Sequence, residues 1–198
     1  ACLVGSEMCI RDRSYIVLGI AILSPLSTAG ALYHLVAHAF MKITLFMCAG
    51  AIFVTTHKKD ISEMVGLGRR MPVTMSAFTI ASLGIAGFPF FVGFVSKANI
   101  IMGALKTGQL LFGATLIVSA VLALTYLMPV VLITFKREPV NPEFNTYGEA
   151  SKTMLVPLLI TATVSVILGV APNFGLHLLD LAMSTGEAVF AHVGGVIC

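Results

Sequence analysis

Two lysines of this sequence stand inside long apolar segments, where a charged side chain is unfavourable. Lys42 lies near the middle of an apolar run from Leu26 to Val54, and Lys97 lies in the next run, after a stretch rich in glycine and proline. A charged side chain costs several kcal/mol in the hydrocarbon of a bilayer and is usually kept for a function, such as the movement of ions or protons. The two lysines therefore indicate proton or cation movement across a membrane.

His34 and His38 precede Lys42 at intervals of four residues. Four residues advance a helix by about 6 Å and turn it by about 40°, so the three side chains form one stripe along a helix. Imidazole takes up and releases protons near neutral pH, and removal from water makes a lysine readier to release its proton. The stripe, together with Lys97, predicts a hydrated proton path.

Each of these residues also has a structural interpretation. A single buried histidine is usually a core residue whose nitrogens are hydrogen-bonded, and a lysine near the end of a span, such as Lys97, can extend to the lipid headgroups. Three ionisable groups on one stripe favour the path for His34 and His38, and Lys42 lies too deep to reach the headgroups. A structural subunit with vestigial charges stays open as an alternative.

The composition places the chain among polytopic membrane proteins with an all-α fold. The 198 residues are 58% hydrophobic and only 11% charged, whereas soluble domains carry about 25% charged residues. The net charge of +3 comes from basic residues in short loops, so no nucleic-acid partner is predicted.

The sequence also lacks motifs for bound groups. The cysteines, Cys2, Cys9, Cys48 and Cys198, do not have metal-ligand spacing, and there is no nucleotide-binding loop, haem-attachment motif or nucleophile elbow. We therefore predict no metal, no cofactor, and no redox or hydrolytic chemistry in the chain itself.

The sequence divides into a short N-terminal segment that is interpreted as non-native and a transmembrane domain. Residues 1–13, with the run CLVGSEMCIRDR, resemble translated sequencing-adapter sequence and are interpreted as non-native. Because a helix needs about 20 apolar residues to cross a bilayer, residues 14–24 are interpreted as half of a span, with an interfacial helix as the alternative. The domain 14–198 then continues with spans at about 26–54, 73–105, 110–135 and 154–171 and a tail at 172–198.

A break is predicted inside the long segment 73–105. Gly87, Pro89 and Gly93 interrupt it, which makes an unbroken helix unfavourable. We expect two half-helices joined by an irregular link that acts as a hinge beside Lys97, as transporters use near their sites. A simple packing kink is the alternative.

Two shorter helices are expected outside the spans. Asp60 and Glu63 have capping-box spacing, which predicts a surface helix from about Ile61. The tail is expected to form an interfacial helix with one apolar stripe. The members of that stripe are Phe174, Leu178, Leu181 and Met183.

The distribution of charge predicts the orientation in the membrane. Basic residues fall in the loops 56–72 and 136–152, whereas the opposite side carries only Lys106. By the positive-inside rule both loops are cytoplasmic and the C-terminus lies outside the inner (plasma) membrane. No acidic residue lies inside a predicted span, so Lys42 and Lys97 must be stabilised by water, by missing sequence or by another subunit.

Three motifs carry a resemblance to one family of membrane proteins. They are HLVAHAFMKITLFMCAGAI at 34–52, DISEMVGLGRRMP at 60–72 and GFPFFVGFVSKANII at 87–101. In order and spacing they resemble the antiporter-like proton-conducting membrane subunits. These occur in Mrp-type multisubunit cation/proton antiporters and in respiratory complex I (NADH:quinone oxidoreductase).

The resemblance implies both a fold and a path. The chain would be the C-terminal part of a fourteen-helix fold with two inverted five-helix repeats, each containing a broken helix. In the family, the residues matching His34, His38 and Lys42 line the central hydrated axis, and the residue matching Lys97 ends the path towards the outside. The glutamate–lysine pair of the first repeat has no counterpart here, so the isolated chain is not expected to transport.

The resemblance leaves two kinds of assembly open. The segment TYLMPVVLITF at 125–135 favours the Mrp-type branch, in which protons are exchanged for sodium or potassium. The alternative is a proton-translocating subunit of a complex I-like NADH:quinone oxidoreductase or of a membrane-bound hydrogenase. In both, the expected partners are the lipid bilayer, protons and the other membrane subunits of a hetero-oligomeric complex.

Overall fold

The computed structural model describes residues 13–57, 64–136, 146–175 and 177–194, and every regular element in these ranges is helical. The helices are α1 (13–21), α2 (Pro25–Thr56), α3 (Leu67–Arg70), α4 (Pro72–Ala86), α5 (Val92–Lys106), α6 (Leu110–Lys136), α7 (Lys152–Val170) and α8 (Leu178–Gly194). Residues 1–12 of the segment interpreted as non-native, and the surface helix expected from Ile61, lie outside the described residues. The prediction of an all-α bundle is confirmed.

The bundle contains helices that suit a bilayer. Helices α2, α6 and α7 are long and apolar enough to cross a membrane, and α4 is a shorter apolar helix. Helix α4 and helix α5 follow one another with a five-residue interruption at 87–91, so the two together form the predicted broken helix. The chain is therefore a multi-pass membrane protein.

Helix α2 is the central element, and α4, α5, α7 and α8 pack around it. Pro25 begins α2, where a residue without an N–H costs no helical hydrogen bond. One buried cluster joins α2 to its neighbours. Its members are Ala29, Tyr33, Ala37, Met41, Ile85, Val92, Leu127, Leu168 and Ala182.

Small residues bring α2 and α5 into close contact. A Cβ added at Gly30 would lie 2.9 Å from the backbone nitrogen of Ile100, and one added at Gly103 would lie 2.7 Å from the nitrogen of Ser27. Lipid gives helices little hydrophobic reason to associate, so such close backbone packing is a main source of attraction in membranes. This contact fixes how the polar stripe of α2 faces α5.

The break begins where α4 ends in a left-handed residue. Gly87 has a φ of +85°, and the N–H groups of Gly87 and Phe88 donate to the carbonyls of Gly84 (3.1 Å) and Leu83 (3.0 Å). These two hydrogen bonds form a Schellman cap, which glycine favours because its φ can be positive at no steric cost. The cap ends α4 and turns the chain into the link.

The two half-helices touch backbone to backbone just beyond the link. Gly93 lies in the first turn of α5, where a Cβ would fall 2.0 Å from the carbonyl oxygen of Gly84. A Cβ on Gly169 of α7 would lie 2.5 Å from the backbone of Phe91. Protein therefore covers part of the irregular backbone, as is required at membrane depth. Gly93 acts by close approach, whereas Gly87 and Pro89 form the link itself.

The two predicted basic loops meet at one end of the bundle. The N–H of Gly66 donates to Ile133 at the end of α6 (3.4 Å), and the N–H of Gly148 donates to the carbonyl of Arg70 (3.0 Å). The Glu149 carboxylate accepts hydrogen bonds from the N–H of Val73 (2.6 Å) and the hydroxyl of Thr74 (2.8 Å). It therefore caps the N-terminus of α4, a role that the sequence interpretation did not assign.

The tail forms helix α8, which packs against α2, and its interfacial position stays a prediction. Leu181 is 61% exposed and Phe174 is 67% exposed. Leu178 and Met183 of the expected stripe pack, with Ala182, against the buried cluster around α2, and a Cβ on Gly186 would lie 2.6 Å from the carbonyl oxygen of Pro25. Small residues pack a helix close to its neighbour in a membrane, so Ala182 and Gly186 let α8 approach α2 closely.

Replacing Gly93 with alanine should separate the two half-helices. The new Cβ would overlap the Gly84 carbonyl, and overpacking of this kind lowers the free energy of unfolding by about 1–3 kcal/mol. Thermal unfolding of the purified chain in detergent measures the change. Gly50→Ala is the matched control, because a Cβ at Gly50 meets no atom within 4 Å and should leave the midpoint unchanged or raised. Equal midpoints for the two variants would contradict the close approach.

Removing the carboxylate of Glu149 should destabilise the start of α4. Loss of a side chain that caps a helix N-terminus costs about 0.5–2 kcal/mol of stability, so Glu149→Ala should lower the unfolding midpoint in the same assay. Glu187→Ala, on the exposed side of α8, removes the same charge and serves as the control. A Glu149→Ala midpoint equal to that of the Glu187 variant would show that the cap contributes nothing.

Candidate functional site

The predicted stripe lies on α2 and turns gradually around it. His34 is 2% exposed and Lys42 is 7% exposed, while His38 between them is half-buried. The ring centroids of His34 and His38 are 6.1 Å apart. Because each step of four residues turns the helix by about 40°, His34 faces α5, whereas Lys42 lies towards the side of the exposed Phe46.

His34 is joined to α5 by a hydrogen bond of 2.8 Å between its Nδ1 and the hydroxyl of Ser96. The Ser96 hydroxyl donates its proton to the carbonyl of Gly93 (3.0 Å). A hydroxyl has one proton, so Nδ1 of His34 must donate to the Ser96 oxygen. In the neutral ring with this assignment, Nε2 is the nitrogen that carries no proton.

Lys97, the residue after Ser96, caps the carbonyl end of α4. Its Nζ donates to the carbonyl oxygens of Ile85 (2.7 Å) and Ala86 (3.2 Å). A helix leaves its last four carbonyls without helical partners. The Schellman cap uses those of Leu83 and Gly84, so the ammonium group completes the set. The carbonyls and the negative end of the helix dipole therefore stabilise this buried cation.

Tyr15 of α1 contacts both Lys97 and His34. The Lys97 Nζ lies 5.1 Å from the centroid of the tyrosine ring, and the His34 ring packs against it edge to face at 5.8 Å. The tyrosine hydroxyl is hydrogen-bonded to the hydroxyl of Ser119 on α6. The sequence interpretation missed both residues, although a tyrosine and a serine inside apolar segments were an available signal.

The structure thus gathers some predicted residues and separates others. Lys97 and His34 belong to one cluster with Ser96 and Tyr15, whereas Lys42 lies eight residues, about 12 Å, further along α2. The Nζ of Lys42 is 5.9 Å from the centroid of the Phe46 ring, which is itself 65% exposed. Lys42 is therefore a buried residue at the far end of the stripe, beside an exposed aromatic ring.

A cavity of about 410 Å³ borders Lys97 between α5 and α6. Gly87 and Pro89 of the link and Leu124 of α6 contribute to its wall, and Lys97 is the one charged side chain among the described residues that line it. An apolar cavity does not hold water readily.

The clustered groups are of types that exchange protons. Imidazole, hydroxyl and ammonium groups accept and donate protons within hydrogen-bond range. At 6.1 Å between ring centroids, His34 and His38 are too far apart for a direct hydrogen bond in this arrangement, so a water molecule or a rotamer change must connect them. The arrangement suits stepwise proton transfer along α2.

The chain matches a known family over more than half of its length. A model of the family described as NADH:quinone oxidoreductase/Mrp antiporter, TM matches residues 10–125. NADH-quinone oxidoreductase subunit N of Desulforudis audaxviator is 35% identical over 171 residues, which are 81% of this chain and 34% of that protein. A Na(+)/H(+) antiporter subunit of Bacillus subtilis is 29% identical over 173 residues, 86% of this chain and 34% of that protein. The chain thus spans about a third of the length of these relatives.

Two solved structures share the fold. A chain of the Mrp complex from Dietzia sp. superposes with a TM-score of 0.79 at 23% identity, over 93% of this chain and 42% of that one. A chain of respiratory complex I from Thermus thermophilus superposes with a TM-score of 0.75 at 23% identity, over 87% of this chain and 36% of that one. The helical arrangement described above is therefore that of antiporter-like membrane subunits.

Proposed function

The chain belongs to the NADH:quinone oxidoreductase/Mrp antiporter transmembrane family, and from that premise we propose that it conducts protons along His34, His38, Lys42 and Lys97. The observation that carries the proposal is the hydrogen bond of 2.8 Å between His34 and Ser96, next to Lys97 in sequence. It connects the ionisable stripe of α2 to the broken helix. Buried ionisable groups in one connected series are typical of proton relays in membranes.

In the proposed path Lys42 and Lys97 are the terminal groups and the histidines connect them. A proton released by one lysine is taken up by Nε2 of a neighbouring imidazole, and the ring then passes a proton on, so each transfer moves one positive charge along α2. Bridging waters span the gaps between side chains. The link with Gly87, Pro89 and the close contact at Gly93 would let the carbonyl end of α4 shift when the charge on Lys97 changes.

We further propose that the assembly is a multisubunit monovalent cation/proton antiporter. The likeness to a Na(+)/H(+) antiporter subunit and the TM-score of 0.79 to a chain of the Mrp complex support this assignment. The partners would be the lipid bilayer, other membrane subunits, protons, and sodium or potassium. The segment TYLMPVVLITF at 125–135 favours the same branch.

A complex I-like oxidoreductase is the second candidate, because a relative at 35% identity is NADH-quinone oxidoreductase subunit N. The proton path would be the same, but quinone reduction elsewhere in the assembly would drive it. Purification of the native complex separates the two. Flavin and iron–sulfur subunits alongside the chain would support the oxidoreductase, whereas small membrane subunits alone would support the antiporter.

The proposed orientation follows from the charge pattern. The loops 56–72 and 136–152 would be cytoplasmic and the C-terminus outside the inner (plasma) membrane, by the positive-inside rule. The contacts of Gly66 with Ile133 and of Arg70 with Gly148 support a common side for both loops.

Lys42→Met in the assembled complex should lower cation-driven proton transfer by at least about tenfold, since loss of a proton-transferring group typically costs a factor of about 10²–10⁴. Methionine keeps an apolar side chain of similar length. A pH-sensitive dye in inverted membrane vesicles measures the transfer. Lys106→Met, at the exposed end of α5, is the matched control and should transfer protons normally. Normal transfer by a correctly assembled Lys42 variant would refute the path.

A further inference from the structure

We propose that Tyr15 is a positioning residue for proton transfer, a role that rests on the proposed function above. Its ring lies 5.1 Å from the Lys97 ammonium and 5.8 Å from the His34 ring. Among the described residues of the cluster, Tyr15 is the side chain that contacts both groups. We infer that the Tyr15 ring holds the Lys97 ammonium against the carbonyl end of α4 and keeps the His34 imidazole at a constant distance from that ammonium.

The ammonium group of Lys97 is surrounded by carbonyl oxygens and an aromatic ring. The carbonyls of Ile85 and Ala86 accept two of its hydrogen bonds. The negative face of an aromatic ring attracts a cation, and the attraction increases when water is excluded. Tyr15 and Lys97 are each 5% exposed, so water is largely excluded here. The ring therefore replaces part of the hydration that Lys97 loses.

The ring itself is held on two sides. The tyrosine hydroxyl is hydrogen-bonded to Ser119 of α6. Around the ring lies a buried cluster with Ile22 of the α1–α2 connection and Ile100 of α5. Helices α5 and α6 and the α1–α2 connection thus determine where the ring stands, which suits a residue that sets the position of others.

Tyr15 also has a purely structural interpretation, as one apolar member of that buried cluster. The two interpretations differ in what a change of the ring would do. A structural residue changes the amount of folded protein, whereas a residue that stabilises a cation changes the pH at which that cation gives up its proton. Among the described residues, the titratable side chains seen against Tyr15 are His34 of α2 and Lys97 of α5, and α6 contributes the neutral Ser119.

The test is the pH profile of proton transfer in the assembled complex, normalised to the amount of assembled subunit. Tyr15→Leu should move the pH midpoint towards acid by about half to one and a half pH units, the equivalent of one lost cation–π contact. Tyr15→Phe keeps the ring and should restore the midpoint. Ile22→Val is the matched control, since it trims packing in the same cluster but leaves the Ser119 hydrogen bond and the contacts of the ring with Lys97 and His34 in place, and should lower the yield slightly but not move the midpoint. An unchanged midpoint in Tyr15→Leu would overturn the proposal.

Fluorinated phenylalanines at position 15 keep the test decisive if the leucine variant does not assemble. Fluorine withdraws charge from the face of the ring and leaves its shape nearly unchanged. The midpoint should therefore move stepwise with the number of fluorines, and a midpoint independent of fluorination would overturn the proposal.

Lys42→Met and Lys97→Met, measured in parallel, separate the positioning role from the path itself. If both variants transfer protons normally, the path is wrong. If both lose transfer while every Tyr15 variant keeps the wild-type profile, the path stands and the positioning role of Tyr15 is wrong.

Discussion

The carbonyl end of α4 is the constraint on which the site depends. A helix that stops inside a bilayer leaves four carbonyl groups that water cannot reach, and each must find a donor within the protein. The N–H groups of Gly87 and Phe88 satisfy two of them, and the Lys97 ammonium satisfies the other two. The buried lysine and the end of α4 thus stabilise each other. The carbonyl oxygens accept hydrogen bonds from the cation, and the cation supplies the donors that the carbonyls need.

The other contacts around the break follow from this pairing. Gly93 lets α5 approach the last turn of α4, which places Lys97 within reach of the carbonyls. The same turn of α5 presents Ser96 to His34, so the end of the broken helix and the stripe of α2 become one hydrogen-bonded unit. At the opposite end of α4, the carboxylate of Glu149 satisfies the N-terminal donors from a different part of the chain. Both ends of this short helix are therefore fixed by side chains outside it.

The stripe of α2 links two different environments. At His34 the helix is enclosed by α5 and by Tyr15, with hydrogen bonds and ring contacts on several sides. At Lys42 the contact is the ring of Phe46, which lies on the exposed side of the helix. A charge that moved along α2 would therefore pass from the surroundings of Phe46 into the polar cluster of His34, Ser96 and Lys97. The rotation of about 40° for every four residues is what produces that change of surroundings.

The sequence by itself determined the class of protein, a multi-pass membrane protein, and the positions of local features along the chain. Apolar runs long enough for a bilayer, glycine and proline at the break, and the four-residue spacing of His34, His38 and Lys42 depend only on residue type and on the helical period. Tertiary structure decided what each group touches. Nothing in the spacing shows that Lys97 caps α4, that Tyr15 contacts both Lys97 and His34, that Glu149 reaches Val73, or that α8 packs through Ala182 and Gly186. These contacts join residues far apart in the chain, and they arise from close packing of backbones in three dimensions, which a one-dimensional pattern does not contain.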